Sequence, residues 1–286
     1  MTQTQHIPPI STLNAGGTLL DLSTPLVMGI VNITPDSFHA PSRVNQQHDI
    51  VERVREMLHQ GADIIDVGAY SSRPGADDIT VEEEIARLDT ALSVIRENFP
   101  DCIISIDTFR SAVATYAIDR YGVNIINDIS GGMADEAMIS AIAHQNVAYV
   151  LMHMQGSPQT MQQHTTYVDL MNDIMLFFAR QLEKLTYAGI GDIIIDPGFG
   201  FSKNTEQNFE LLNRLDEFCR LGYPVLAGLS RKSMIWKTLD ITPADALNGT
   251  TALNSVALLK GAKILRVHDV AEARQCITLM QQLEKR

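Results

Sequence analysis

Eight short apolar runs in this chain each stop at a polar or charged side chain. They cover residues 26–33, 63–67, 103–107, 123–129, 147–152, 193–196, 224–228 and 262–267. Their ends carry Asn32, Asp66, Asp107, Asn127 with Asp128, Met152 with His153, Asp196, Ser230 with Arg231 and Lys232, and Arg266 with His268. Asp107, Asn127, Asp196 and Lys232 supply acceptors and donors for a flat, nitrogen-rich heterocycle with adjacent N–H and carbonyl groups. A buried carboxylate can accept two N–H bonds from a guanidine-like edge. Arg73, Arg266 and His268 supply cations for an anion such as phosphate, and arginine suits bidentate phosphate contact. Asn32 supplies a neutral oxygen to a Mg2+ ion that also binds phosphate oxygens.

These side chains can act together only if the strand ends converge. Strands buried on both faces read as continuous apolar runs, as these do. Helical patterns lie between them at 48–60, from Thr80 onward, at 108–121, 135–144, 167–188, 205–221 and 243–260, and from about 270 to the end. Gly61 and Gly122 stand where a C-terminal glycine stops a helix. Thr80 and Glu83 have capping-box spacing. Eight strand–helix units predict a (β/α)8 TIM barrel, whose site lies on the rim formed by the C-terminal strand ends. The competitor is a doubly wound open sheet, whose first turn would be glycine-rich. Here that turn reads Thr34-Pro35-Asp36-Ser37. The expected organisation is one barrel domain over 25–286, preceded by a polar extension over 1–24 with a short hairpin near Thr18.

With 286 residues the chain has the length of one such barrel, and 45% apolar residues suffice for a large core. A net charge of -12 argues against a general nucleic-acid binder, although local cations can still hold an anionic substrate. Cys102, Cys219 and Cys276 form no metal pattern and read as reduced thiols. No signal-peptide pattern and no membrane-length apolar stretch is visible, so the cytoplasm is the expected compartment, without membrane or nucleic-acid partners.

In order, the chain carries Met28-Gly29-Ile30-Val31-Asn32-Ile33-Thr34-Pro35-Asp36-Ser37-Phe38, Ser71-Ser72-Arg73-Pro74-Gly75, Ile106-Asp107-Thr108 and Ile125-Ile126-Asn127-Asp128-Ile129. Leu151-Met152-His153-Met154, Asp196-Pro197-Gly198-Phe199-Gly200-Phe201, Ser230-Arg231-Lys232-Ser233 and Arg266-Val267-His268-Asp269-Val270 follow. Each motif is short, but eight in order resemble the dihydropteroate synthase family of pterin-binding barrel enzymes, from about Pro25 to the last helix. The resemblance implies condensation of 6-hydroxymethyl-7,8-dihydropterin pyrophosphate with 4-aminobenzoate to 7,8-dihydropteroate and pyrophosphate, Mg2+ as cofactor, and a homodimer formed through late helices. By that resemblance Asp107, Asn127, Asp196 and Lys232 hold the pterin edges. Ile129, Met152 and Phe201 shape its slot, Gly228 also lines the substrate, and Arg266 lies over the ring. Asn32, Arg73, Arg266 and His268 bind pyrophosphate with Mg2+; Phe38, Ser72, Pro74 and Ser233 border the aminobenzoate, where sulfonamides compete. Asp107, Lys232, Arg266 and His268 form the expected catalytic set.

The chain also departs from the pattern. Ala40 stands where the first loop has an acid, Pro41 follows it, Tyr70 replaces a glutamate, Ser72 a threonine and Ser202 a common glycine. Two alternatives therefore stay open: a paralogue that binds pterin with weak or no synthase activity, and a methyltetrahydrofolate–corrinoid methyltransferase. The latter has no use for the cations at Arg231-Lys232 and Arg266. Of the remaining polar residues, His153 is read as structural, Asp128 as bonding backbone at the rim, Lys203 as a solvated loop residue and Glu82-Glu83-Glu84 as a solvent-facing helix start. Met171 and Met175 are read as core filler.

Overall fold

In the computed structural model, which describes residues 10–33, 43–71 and 78–284, the apolar runs form a ring of parallel strands. They are β3 (Leu26–Asn32), β4 (Ile64–Gly68), β5 (Ile103–Asp107), β6 (Ile125–Asp128), β7 (Ala148–Met152), β8 (Ile193–Asp196), β9 (Leu226–Ala227) and β10 (Ile264–Val267). The hydrogen-bonded order is β8-β7-β6-β5-β4-β3-β10-β9. A parallel bridge between Ile195 and Val225, with the Ile195 N–H donated to the Pro224 carbonyl at 2.9 Å, closes the ring. The architecture is the predicted (β/α)8 barrel.

Helices α1 (Arg43–His59), α2 (Val81–Asn98), α3 (Ser111–Tyr121), α4 (Met138–Ile142) and α5 (Leu170–Tyr187) cover the first half of the ring. Then come α6 (Thr205–Asn213), α7 (Leu215–Cys219), α8 (Ser233–Leu239), α9 (Leu247–Leu259) and α10 (Val270–Glu284). Strand residues alternate between two cores. Val27, Ile65, Val67, Ile104, Ile106, Leu151, Ile195 and Leu265 face outward and pack under the helices. Met28, Ile64, Ile125, Val150, Ile194, Leu226 and Ile264 fill the barrel interior. This alternation follows from the two-residue period of strands.

Several predicted boundaries shift for local reasons. The 224–228 run gives a strand of only two residues, with Val225 taken up by the bridge to Ile195. The 205–221 helix divides at Arg214, whose backbone (φ -109, ψ 20) leaves the helical region. The 135–144 helix shrinks to α4, and its expected last residue, His144, adopts a positive φ of 66. The 243–260 helix begins as a 3-10 turn at Pro243–Asp245 before α9. Thr80 caps α2 by accepting the Glu83 N–H at 3.2 Å. Helix α8 was not predicted; it follows the motif Ser230-Arg231-Lys232 and stops at Asp240 in the left-handed region.

The polar extension holds the expected hairpin, and that hairpin is part of the barrel core. Strands β1 (Thr12–Ala15) and β2 (Thr18–Asp21) pair around Gly16 and Gly17, which adopt φ of 63 and 85. Two positive φ values in a two-residue loop match the twist of a hairpin, and glycine adopts them without strain. Leu13, Ala15, Leu20 and Leu22 pack beneath Met28, Ile64 and Ile125, at the end of the barrel opposite the polar strand ends. Asn14 donates its N–H to Asp192 at 2.8 Å, and Asn124 donates to the Ala15 carbonyl at 3.1 Å. Leu22→Ala should therefore cost about 2–5 kcal/mol in urea unfolding, as for other buried leucines. A loss below about 1 kcal/mol would show that the hairpin is not a core element.

Candidate active site

The polar strand ends do converge, and a buried ion pair organises them. Arg266, on β10, donates Nε to Asp66 Oδ2 at 2.7 Å and Nη2 to Asp107 Oδ2 at 2.6 Å. Asp66 is fully buried on β4 and also accepts the Asn127 amide at 3.1 Å. Asp107 and Asn127 are register partners on adjacent strands. Gly68 separates Asn32 from Asp107: a Cβ there would lie 3.4 Å from Asp107 Cβ and 3.6 Å from Asn32 Oδ1. Burial raises the Asp107 carboxyl above the usual carboxylate range, while the Arg266 guanidinium pulls it back. Burial works against the Arg266 charge, but Asp66 and Asp107 outweigh it and raise its pKa further.

Lys232 stands at the residue before α8, without a side-chain capping bond, and its Nζ lies 4.2 Å from the centre of the Phe201 ring, a cation–π contact. Its stem crosses Gly200, where an added Cβ would come within 3.0 Å of Cδ. Burial, then the nearby Arg266, lowers the Lys232 ammonium to about 8, and Asp196 and Asp107 resist that fall. Asp196 accepts the Gly198 N–H at 2.8 Å, and burial raises its carboxyl. Ile129, Met152, Met154, Met161 and Phe201 form an apolar wall beside these groups, with Phe109 packed against it. Gly228 faces open space, and Ser233 opens α8, half-buried. Asn32 is half-buried at the end of β3. Phe38, Ser72, Arg73 and Pro74, with the departures at Ala40 and Pro41, lie outside the described residues.

His268 is not a ready-made cation. Burial, then Arg266, depresses its imidazole to about 4, so it is neutral at pH 7 in the free chain and can supply one N–H. The His268 backbone N–H is donated to Ser230 Oγ at 3.2 Å, and its backbone carbonyl accepts from Arg53 at 2.9 Å.

Lys203 is only 3% exposed, not solvated as expected. Its Nζ donates to the carbonyls of Gly198 and Phe201, each at 3.0 Å, and meets His153 Nδ1 at 3.2 Å. Burial, then Lys203, holds His153 neutral, down to about 2, which leaves a ring nitrogen free to accept. Burial lowers Lys203 itself to about 7. This ammonium gathers the loop between Asp196 and Asn204. Gly198 leaves no room for a side chain there, since a Cβ would collide with the His153 carbonyl. The departure at Ser202 falls at a positive φ of 46. Its hydroxyl accepts the Gln155 N–H at 2.9 Å, and its carbonyl accepts from Tyr167 at 3.0 Å, so local bonds hold the strained backbone.

Glu84 also corrects an expectation. It is 1% exposed, accepts from Thr108 at 2.7 Å and from Arg110 at 3.0 Å, and ties α2 to the loop after β5. Arg110 lies over the rings of Tyr70 and Phe109 at 5.2 and 5.5 Å. Tyr70 meets Phe109 edge-on at 5.0 Å and accepts a hydrogen bond from Gln159. The tyrosine that replaces the family's glutamate thus joins the strand-four loop to the apolar wall. Asp128 does bond backbone, accepting from the N–H groups of Ser130 (2.7 Å) and Gly132 (2.9 Å). Met171 is fully buried and Met175 packs against the same core, as expected.

Comparison with known proteins then decides the family. Residues 28–268 match the family described as pterin binding enzyme. The chain is 41% identical over 271 residues to the dihydropteroate synthase of Escherichia coli K12, covering 94% of this chain and 95% of that one. This chain belongs to the dihydropteroate synthase family. The Yersinia pestis dihydropteroate synthase, solved with a sulfonamide drug complex, superposes with a TM-score of 0.89 at 38% identity, over 96% of this chain and all of that one. The Thermus thermophilus enzyme, solved with 4-aminobenzoate, gives 0.85 at 38% identity, over 95% and 99%.

Lys203→Met should loosen the loop after β8, because the buried carbonyls of Gly198 and Phe201 and the His153 ring nitrogen lose their donor. The expected loss is about 2–3 kcal/mol of unfolding free energy, read by denaturant titration. Unchanged stability would mean that these carbonyls find other donors.

Proposed function

We propose that this transferase joins 6-hydroxymethyl-7,8-dihydropterin pyrophosphate to 4-aminobenzoate, giving 7,8-dihydropteroate and pyrophosphate. The observation that carries the reading is the meeting of Asp107, Asn127, Asp196 and Lys232 beside the ion-paired Arg266 at one end of the barrel. Acceptors on three strands face the donor-rich edge of a 2-amino-4-oxo ring, and Lys232 supplies a donor to its acceptor atoms. Ile129, Met152 and Phe201 make the apolar slot for the ring. Ser233 is the described residue that would border the aminobenzoate, a role the family resemblance also gives to Phe38, Ser72 and Pro74; sulfonamides would compete there, consistent with the sulfonamide and 4-aminobenzoate complexes of the relatives.

The bond that breaks joins the pterin methylene carbon to a pyrophosphate oxygen. The oxygen leaves with the electron pair, and Arg73, Arg266 and His268 meet the anion. The methylene carries positive charge in a dissociative step, which the electron-rich ring spreads and the Asp107 carboxylate supports. The neutral arylamine nitrogen then forms the C–N bond and loses its proton afterwards. No protein nucleophile is required.

The donor set fits Mg2+ only as a metal that arrives with the pyrophosphate. Asn32 offers one neutral oxygen, and the described residues hold no cluster of three His, Cys, Asp or Glu. Substrate oxygens and water would complete the shell, as Mg2+ prefers. When bound, the ion supplies neutralisation of leaving-group charge.

The apolar residues Val256 and Leu259 on α9 and Leu279 and Leu283 on α10 are exposed, and the two helices pack side by side. Such a face suits a homodimer. Among the described residues no helix is long and apolar enough to cross a membrane.

The deciding test is pyrophosphate release by the purified chain with Mg2+, the pterin pyrophosphate and 4-aminobenzoate. Aminobenzoate-dependent release is expected to fall at least ~100-fold in Lys232→Ala, the scale of a lost charge-assisted contact at a reacting substrate. It should also decline above a pH of about 8, where Lys232 loses its proton. Pterin binding without release would support the non-catalytic paralogue instead. Light scattering should give twice the 31.6 kDa chain mass, and Leu259→Glu with Leu283→Glu should halve it. A monomeric parent chain would remove the dimer.

A further inference from the structure

Asp66 was read from the sequence only as the end of a strand, yet both side chains it bonds belong to the pocket. Its Oδ2 takes the Arg266 guanidinium and the Asn127 amide. A scaffold carboxylate uses its lone pairs on backbone N–H groups, as Asp128 does with Ser130 and Gly132. Asp66 accepts none: its Oδ1 is buried without a partner among the described residues, as is Ser105 Oγ, its register neighbour on β5.

The chemistry of this contact is one-sided. A carboxylate can only accept, so Asn127 must turn its NH2 toward Asp66. The Asn127 side-chain oxygen, Oδ1, is thereby the atom left over, and it has no hydrogen-bond partner among the described residues, whereas the backbone carbonyl accepts the Thr108 N–H at 3.1 Å. Arg266 is fixed in the same way: Nε and Nη2 are committed to carboxylates, which sets the plane of the guanidinium and leaves Nη1 without a partner among the described residues.

We propose that Asp66 is a positioning residue that sets the donor–acceptor polarity of the ring pocket, by holding the Asn127 oxygen toward the ligand and Arg266 in one plane. This rests on the reading of the pocket as a pterin site. The consequence is discrimination: a ring presenting an amino group to Asn127 is accepted, and one presenting a carbonyl there is rejected.

The test compares two fluorescent rings that differ at one position, pterin (2-amino-4-oxo) and lumazine (2,4-dioxo), by titration of the full chain. The parent chain should bind pterin roughly 10- to 100-fold more tightly, the scale of one acceptor left facing another in a buried site. In Asp66→Asn the amide at position 66 can donate to Asn127, which frees Asn127 to turn its NH2 outward. The preference should fall toward unity, whereas a merely structural lesion would weaken both rings alike. Combining Asp66→Asn with Asn127→Asp restores a donor–acceptor pair with a carboxylate oxygen facing the ligand, and should restore the preference. If Asp66→Asn fails to fold, the exchanged pair carries the test, and loss of preference there overturns the inference. An unchanged pterin preference in Asp66→Asn, or equal binding of both rings by the parent chain, also overturns it. A parent chain that binds neither ring overturns the pterin reading and this inference with it.

Discussion

A guanidinium held between two carboxylates inside a closed barrel is the interaction on which the rest of the site depends. Arg266 could not sit among strand residues without Asp66 and Asp107, because an unpaired buried charge costs several kcal/mol. Nor could the two carboxylates approach each other without the arginine. The three together bring β4, β5 and β10 to a common centre, and Asn127 adds β6. Loss of solvent around the charged forms, and only then the neighbouring Arg266, is why Lys232 and His268 depart so far from their values in water.

Around that centre the barrel divides its work by depth. The interior is apolar where the hairpin plugs it, polar at the level of Asp66, Ser105 and Asn127, and polar with an apolar wall at the rim. Strand periodicity makes this possible, because every second residue faces inward and each layer can be chosen separately. The loops above the rim are held by unlike means. The loop after β8 gathers its carbonyls on the Lys203 ammonium, and the loop after β4 begins at Tyr70, pinned by ring contacts and Gln159.

Much of this was legible in the sequence, for a definite reason. A parallel strand covered on both faces must be apolar throughout, so the eight runs and the polar residues ending them could be counted. Asp107, Asn127, Asp196, Lys232 and Arg266 followed from position alone. The misreadings share a cause. Lys203 and Glu84 carry charges in segments that look like surface, and only the folded chain brings carbonyls to one and Thr108 with Arg110 to the other. His268 looked cationic because sequence reports residue type and not solvation. Asp66 was visible within an apolar run, but its orienting contacts span 61 and 200 residues. Helix α8 was hidden because its short stretch follows directly on the chemistry-bearing motif.

The hairpin at the far end of the barrel has a consequence for how the chain comes to fold. Its bonds reach forward 109 residues to Asn124 and 178 residues to Asp192. During synthesis the hairpin therefore emerges long before its partners exist, and Leu13, Leu20 and Leu22 must wait in water. Contacts of such long sequence separation form late, since the loops between them must close first. The hairpin precedes every barrel strand in the sequence, yet it can complete its docking only once the chain has been made as far as Asp192.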